Sequence, residues 1–441
     1  MVIKGCLKLG SMLRADWHYQ AARCLAVFLG CGFLVACNTE SPEASGESGS
    51  LTGETVTILG TLTGNGEDKL MAAIAPFTEA TGIEVVYEGT DAFTTLISVR
   101  VDSGNAPDIA LFPQPGLMLE FAQQGNLVPQ DRAVFTSAYA SDWLDLASVD
   151  GDLYGVWMRA DVKSLVWYNP QAFAAAGYTI PSSWDELTEL SQQMIADGNT
   201  PWCLGMESGA ATGWVGTDWV EEILLRQAGP EVYDAWVSHQ IPFNDPAVET
   251  ALETFGEIVR DEAQVRGGPI GAISIPFGDA PAPLFSDSPG CYLHRQASFI
   301  SDFLPSGLIP EETVDVFALP GMAGESPPVL VGGIVYAQFN ESPAATALMT
   351  HLGSVEAHTL WANEGYISPH TEVSLEAYPD ALIRNQAAIL QEASVIRFDG
   401  SDLMPGAVGT GTFWTGMVDY VGGTDAAAVL SEIEASWPDP E

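Results

Sequence analysis

The sequence predicts an α/β fold, a parallel sheet wrapped by helices, in a body large enough for two lobes. Three observations lead there. Residues 55–112 alternate strand, helix, strand, helix, strand, an order that needs helical crossovers between parallel strands. The chain has 441 residues, and losing an export leader of 36 would still leave 405, enough for two cores. Hydrophobic residues make up 47% of the sequence, so this body folds rather than staying disordered.

The elements follow in order. Thr55–Gly60 (TVTILG) is apolar and β-branched, as a buried strand is. Residues 67–81 place Leu70, Met71, Ile74 and Phe77 on one helical stripe that stops at Gly82. Residues 83–87 form a second strand, Phe93–Asp102 a helix, and residues 108–112 a third strand. Asp150-Gly151 is a hairpin turn between short apolar segments. From Lys163 the texture changes. A strand at 164–168 precedes a helix at 183–197 opened by a capping box of Ser183 and Glu186. Thr217 is expected to cap a helix reaching Gln227, and Asp245-Pro246 to start one reaching about Asp261. Residues 267–287 read as a Gly/Pro-rich loop, and 313–319 and 329–337 as strands. Helices begin at Ser342-Pro343 and after Ser354, with others over 380–392 and 425–437.

Lys4, Lys8, Arg14 and Arg23 precede an uncharged apolar run at 24–36, CLAVFLGCGFLVA. Positive residues, a short apolar stretch and small residues at a cut site make a secretory signal. The run is too short to span a bilayer stably. Its Leu-x-Ala-Cys ending resembles the bacterial lipobox, which makes Cys37 the expected lipidated first residue of the mature chain; an ordinary signal peptide with a chance cysteine is the alternative. Met12 is an alternative start. Residues 37–53, rich in Ser, Gly and Glu, read as a flexible tether. The expected location is therefore outside the cytoplasm, periplasmic or at the cell surface, held to the membrane by lipid alone.

Beyond residue 36 there are 11 basic and 57 acidic residues, a formal net charge of −46. Such a surface repels nucleic acid and anionic membranes. Only two lysines lie there, Lys69 and Lys163. Two cysteines remain after Cys37, Cys203 and Cys291. In an oxidising compartment they are expected to form a disulfide, with two buried thiols as the alternative.

The signatures of catalysis are missing. There is no Gly-x-Ser-x-Gly elbow, no Walker loop and no His-Glu-x-x-His helix. The six histidines show no ligand spacing, so neither a metal nor a cofactor is indicated. Carboxylates are so abundant that a glycosidase acid and base could be drawn from any pair. What stands out is aromatic: Trp214 and Trp219 in GWVGTDW and Trp414 in GTGTFWTG lie among small polar residues. Flat rings beside carboxylates, amides and guanidinium groups suit the apolar faces and hydroxyl rims of sugars. Trp143, Trp236, Trp361 and Trp437 read instead as core residues.

Several stretches taken together, namely GNGEDKL, GNAPDIALFPQ, VKSLVWYNP, PSSWDEL and DGSDLMPGAVGTGTFWTGM, resemble the family 1 extracellular solute-binding proteins. These are the maltose-binding-like receptors of sugar ABC importers. WVGTDWVEEILLRQAGPEVYDAWV and GCYLHRQASFI resemble the alpha-glucoside branch. The resemblance covers nearly all of residues 55–438. It implies a two-lobed, periplasmic-binding-protein-like clamp of type II, its lobes joined by crossing hinge strands. The lobes would be 54–160 with 315–363, and 161–314 with 364–441. It also implies a carbohydrate ligand, an oligosaccharide and by the branch an alpha-glucoside, with no covalent chemistry. The partners would be ABC permease subunits driven by a cytoplasmic ATPase. Carried over, the ligand contacts are Asn65, Glu67 and Asp68 after the first strand, and Phe112, Pro113 and Gln114 after the third. Asp161 and Lys163 follow on the hinge strand, Lys163 as hydroxyl donor or as a hinge ion pair. His294 and Arg295, then Asp399 and Asp402, and the stacking Trp414 complete the set. Trp214, Asp218 and Trp219 would line the rim, or pack within their loop. Two rival readings stay open: a secreted glycoside hydrolase, and a sugar-sensing module for a histidine kinase.

Overall fold

A computed structural model describes residues 51–323 and 326–438. The expected leader, Cys37 and the tether up to residue 50 lie outside the described residues. Among the described residues no helix is long and apolar enough to cross a membrane.

Eleven strands are named in chain order: β1 Thr55–Gly60, β2 Glu84–Gly89, β3 Ile109–Phe112, β4 Ser148–Val149, β5 Asp152–Leu153, β6 Gly155–Val162, β7 Leu165–Tyr168, β8 His294–Arg295, β9 Asp315–Ala318, β10 Val329–Gln338 and β11 Ile396–Phe398. β1, β2 and β3 pair in parallel, as their alternation with helices requires. β10 then enters antiparallel to β3, with β6 antiparallel along its other edge and β11 parallel beside it. The larger sheet is therefore mixed, which the local pattern of residues 55–112 did not signal. A second sheet of three antiparallel strands runs β8-β7-β9. In β7, Leu165 and Trp167 face one hydrophobic core while Val166 and Tyr168 face another. Burial on both faces explains why this strand reads as a continuous apolar run.

The chain passes between the sheets at Lys163-Ser164, between β9 and β10, and after β11. The expected lobe limits shift accordingly. Asp315–Ala318 pairs with β7 and belongs to the second sheet. Ile367 bridges to Ala160, and β11 pairs with β10, so residues 364–398 attach to the first.

Helix starts follow their caps. Ser183, Asp245, Ser342, Ser354, Asp380 and Asp425 each accept a backbone N–H of the first turn. Glu186 bonds the Ser182 N–H and hydroxyl rather than the Ser183 N–H. Thr217 is not a cap. The helix begins at Trp214, and Thr217 turns its hydroxyl back onto the Trp214 carbonyl at 2.8 Å. The region 267–287 is less irregular than its Gly/Pro content suggests, containing the helix Gly268–Ser274 and a 3-10 turn at Ala282–Phe285.

His358 is buried in the first lobe, with Nε2 2.8 Å from the Tyr139 hydroxyl and Nδ1 2.7 Å from that of Ser368. Burial, aided by His370, pushes its pKa down to about 3. The folded protein thus keeps this ring neutral, while the unfolded chain protonates it near 6.5. Below that pH the unfolded state binds more protons, so stability from His358 falls as pH drops from about 6.5 towards 3. Melting curves of wild type and His358→Gln should therefore converge between pH 7 and pH 4.5. A constant gap would show that His358 binds protons alike in the folded and unfolded chain.

Candidate ligand-binding site

β6 runs parallel to β1 and β3, because both β3 and β6 are antiparallel to β10. The carboxyl ends of all three strands therefore lie along one edge of the larger sheet. That edge is where an α/β sheet presents ligands. Gln114 follows β3, Arg159 and Asp161 end β6, and the helix Asn65–Thr81 opens after β1. The second lobe meets this edge through the 3-10 turn Ser298–Phe303. Its Asp302 accepts from Lys69 Nζ at 2.6 Å and from the Tyr366 hydroxyl at 2.7 Å.

Beneath the edge lies a buried ionic cluster. Lys163 directs its ammonium at Asp399, at Asp218 (3.0 Å) and at Asp402 (3.9 Å). Gly332 leaves room for it: a Cβ there would sit 2.7 Å from Lys163 Cε. Arg295 bonds Asp218 at 3.2 Å and Glu222 at 2.8 Å, and Arg226 also bonds Glu222. Ser164, at the first crossing, donates to Glu222 at 2.8 Å. Burial opposes ionisation of Asp399, but the Lys163 charge and hydrogen bonds outweigh it and hold the carboxyl at about 2. Burial pushes Asp218 up to about 6 against the pull of Lys163. Asp402 and Glu221 are pushed up by burial and by the Asp399 charge. The residues fold this way locally because Asp399 caps the short helix Gly400–Leu403, accepting the Asp402 N–H at 3.0 Å.

The expected ligand residues divide into groups. Gln114 is buried at the start of the helix that packs on the Asp402 backbone, and its Oε1 has no protein partner. Asp161 pairs with Arg159 at 3.1 Å. Trp414, 6% exposed, belongs to neither hydrophobic core, and its indole N–H has no protein partner. It stands at the start of the helix Phe413–Val421, packed against Gly213. Gly213 has φ 116°, and a Cβ there would lie 2.0 Å from the Trp414 carbonyl, so only glycine fits. Trp214 is half-buried against Phe277 (5.3 Å) and Phe299 (5.9 Å), with Lys163 Nζ 5.9 Å from its ring. Asn65 and Asp68 are exposed on the first turn of the helix after β1, and Glu67 half-buried.

Others turn their side chains into the interior. Phe112 is fully buried against Phe93 and Phe339 in the first core. It faces inward because side chains alternate along a strand and Phe112 still belongs to β3. Trp219 packs on Trp202 and Phe255. His294 bonds the Cys203 carbonyl at 2.8 Å. Lys163 and Arg295 have their charged groups engaged by carboxylates, and for Lys163 this is the ion pair weighed above beside the role of hydroxyl donor. Cys203 and Cys291 form the disulfide, with Cα atoms 5.4 Å apart.

The sequence motifs do not single out Arg159, Tyr366 or Asp302. A signal for Arg159 existed: an Arg-x-Asp pair inside the otherwise apolar strand GVWMRADV, where buried charges need a reason. Tyr366 and Asp302 come from distant segments, and nothing local marks them. Among the described residues no group of three or more His, Cys, Asp or Glu side chains is placed to hold a metal. Carboxylates, an amide, a guanidinium and the Trp214 ring near one edge can bind a hydroxyl-rich neutral molecule.

Comparison with known proteins gives a consistent picture. The model of the bacterial extracellular solute-binding proteins matches residues 63–359. The Osmoprotective compounds-binding protein GgtB of Synechocystis sp. is 57% identical over 411 residues, covering 92% of this chain and 97% of that protein. The Alpha-glucosides-binding periplasmic protein AglE of Rhizobium meliloti is 40% identical over 414 residues, covering 91% and 90%. The structure of the bacterial solute receptor AcbH, a protein with a preference for β-D-galactopyranose, superposes with a TM-score of 0.76 at 18% identity, covering 87% of this chain and 98% of that one.

Proposed function

The chain belongs to the bacterial extracellular solute-binding proteins, and on that premise we propose that it captures a compact alpha-glucoside between its lobes for an ABC importer. The family is one of receptors, which removes the glycoside hydrolase as a rival. Its type II clamp is shared with AcbH, and it serves as the substrate-binding protein of an ABC sugar transporter. The preference for an alpha-glucoside is supported by the similarity to AglE, which binds alpha-glucosides, and an osmoprotective ligand by the similarity to GgtB, which binds osmoprotective compounds. Both fit one molecule, a neutral disaccharide or smaller glucoside. The burial of Gln114, Arg159, Asp161 and Asp402 supports a ligand short enough to be enclosed, rather than a long glucan. Lipid on Cys37 would tether the receptor at the membrane, and the closed form would dock on permease subunits.

The observation that carries the reading is Trp414, a large ring buried outside both cores with its N–H unpartnered. Stacking under a sugar ring explains why such a side chain is kept from the core. Trp414→Ala is expected to weaken sugar binding by about 1–3 kcal/mol, read by calorimetric titration. Unchanged affinity in the folded variant would remove Trp414 from the site.

A further inference from the structure

We propose that Arg159 reads the ligand directly, through a pair of adjacent neutral hydroxyls, and that Lys69 and Asp302 form the clasp that holds the lobes shut around it. The inference rests on the carbohydrate-receptor reading above and names the group recognised. Arg159 lies beside the register shift in β6, where the pairing with β10 skips Met158. Bulges of this kind re-aim side chains next to functional sites. Its Nε donates to Asp161 at 3.2 Å, and its guanidinium carbon lies 4.6 Å from the Tyr366 ring centroid and 5.7 Å from that of Phe299. Three neighbours thus fix the plane of a side chain that is 6% exposed. Nη1 is buried and has no protein partner.

A guanidinium only donates and keeps its charge. Its outstanding N–H therefore needs an acceptor from outside the chain. Asp161, on the same face of β6, offers acceptor oxygens beside it. A donor and an acceptor held this close match two neighbouring hydroxyls, one accepting from Arg159 and the next donating to Asp161. The pair is neutral overall, and Asp302 stands near it through Tyr366, so an anionic sugar acid would find no free positive charge there.

The clasp joins the two lobes. Asp302 belongs to the second lobe, between β8 and β9, and Lys69 to the first, on the helix after β1. Their ion pair is 2.6 Å long and mostly shielded from solvent. The Tyr366 ring that carries Arg159 also faces Lys69 Nζ at 4.7 Å, and its hydroxyl donates to Asp302. Opening the lobes would separate Asp302 from Lys69 and from Tyr366 together, so Arg159 has its full support only when the clamp is shut.

The test uses the sugar that wild type binds best among maltose, trehalose and sucrose, with affinity by calorimetry and rates by stopped-flow tryptophan fluorescence. Arg159→Gln should bind roughly 10- to 100-fold more weakly, the loss of one charge-assisted hydrogen bond. Lys69→Met should associate at the wild-type rate and dissociate roughly 3- to 10-fold faster, since a clasp acts after encounter. Wild-type affinity in Arg159→Gln, or wild-type dissociation in Lys69→Met, would overturn the proposal. If Arg159→Gln fails to fold by circular dichroism, Tyr366→Phe takes its place. It keeps the ring, loses the bond to Asp302 and should also release sugar faster, and unchanged rates there overturn the proposal equally. If wild type itself binds none of the sugars, the receptor reading falls first, and the two failures are told apart.

Discussion

Replacing Lys163 by methionine is expected to cost the fold about 3–5 kcal/mol, the usual penalty for removing one partner of a buried ion pair. Lys163 is 6% exposed, and its ammonium faces Asp218, Asp399 and Asp402. Methionine fills the space of the stem but leaves three carboxyls without the cation that offsets their desolvation. Asp399 would suffer most, because Lys163 is what holds its pKa down near 2. In wild type that depressed value adds stability as pH rises from about 2 to 4. In the variant the same carboxyl would be raised, and stability would fall as pH rises through its new value. The deficit should therefore be larger at pH 7 than at pH 4.5. Urea denaturation at both pH values measures it. A pH-independent deficit below about 1 kcal/mol would show that the cluster is solvated.

The second large effect concerns the disulfide. Cys203 and Cys291 are 88 residues apart, and closing a loop of that length is worth about 4–5 kcal/mol in chain entropy. The bond also holds the segment that carries β8. Cys203 N–H donates to the Leu293 carbonyl at 2.8 Å, and Arg295, two residues on, anchors Asp218 and Glu222. A Cys203→Ser/Cys291→Ser protein should lose about 2–5 kcal/mol in urea. Wild type with its bond verifiably reduced should lose the same. Coincident unfolding curves with and without the bond would contradict this.

What was legible in the sequence is what depends on near neighbours. Ser183, Asp245, Ser342, Ser354, Asp380 and Asp425 mark helix starts because capping is decided within one turn. The turn at Asp150-Gly151 is legible for the same reason: both residues sit at positive φ, 53° and 92°, which their types tolerate. The antiparallel entry of β10 and β6 was not legible, since pairing partners lie far apart in the chain and strand direction leaves no local mark. The same holds for the site. Phe112 and Trp219 carry the right chemistry, yet the pleat and the helix turn them into the cores. Asp302 and Tyr366 carry no signature at all until the fold brings residues 64 apart into contact. Trp214 and Thr217 show a further limit: Gly213, through its positive φ, starts the helix earlier than a hydroxyl cap would.

The most direct test of the central claim, that the two lobes close on an intact neutral sugar, is calorimetric titration of the wild-type protein with maltose, trehalose and sucrose, followed by chromatography of the recovered sugar. Saturable one-to-one binding of at least one of them is expected, with that sugar recovered uncleaved. Absence of binding to all three at millimolar concentration, or recovery of hydrolysed sugar, would contradict it.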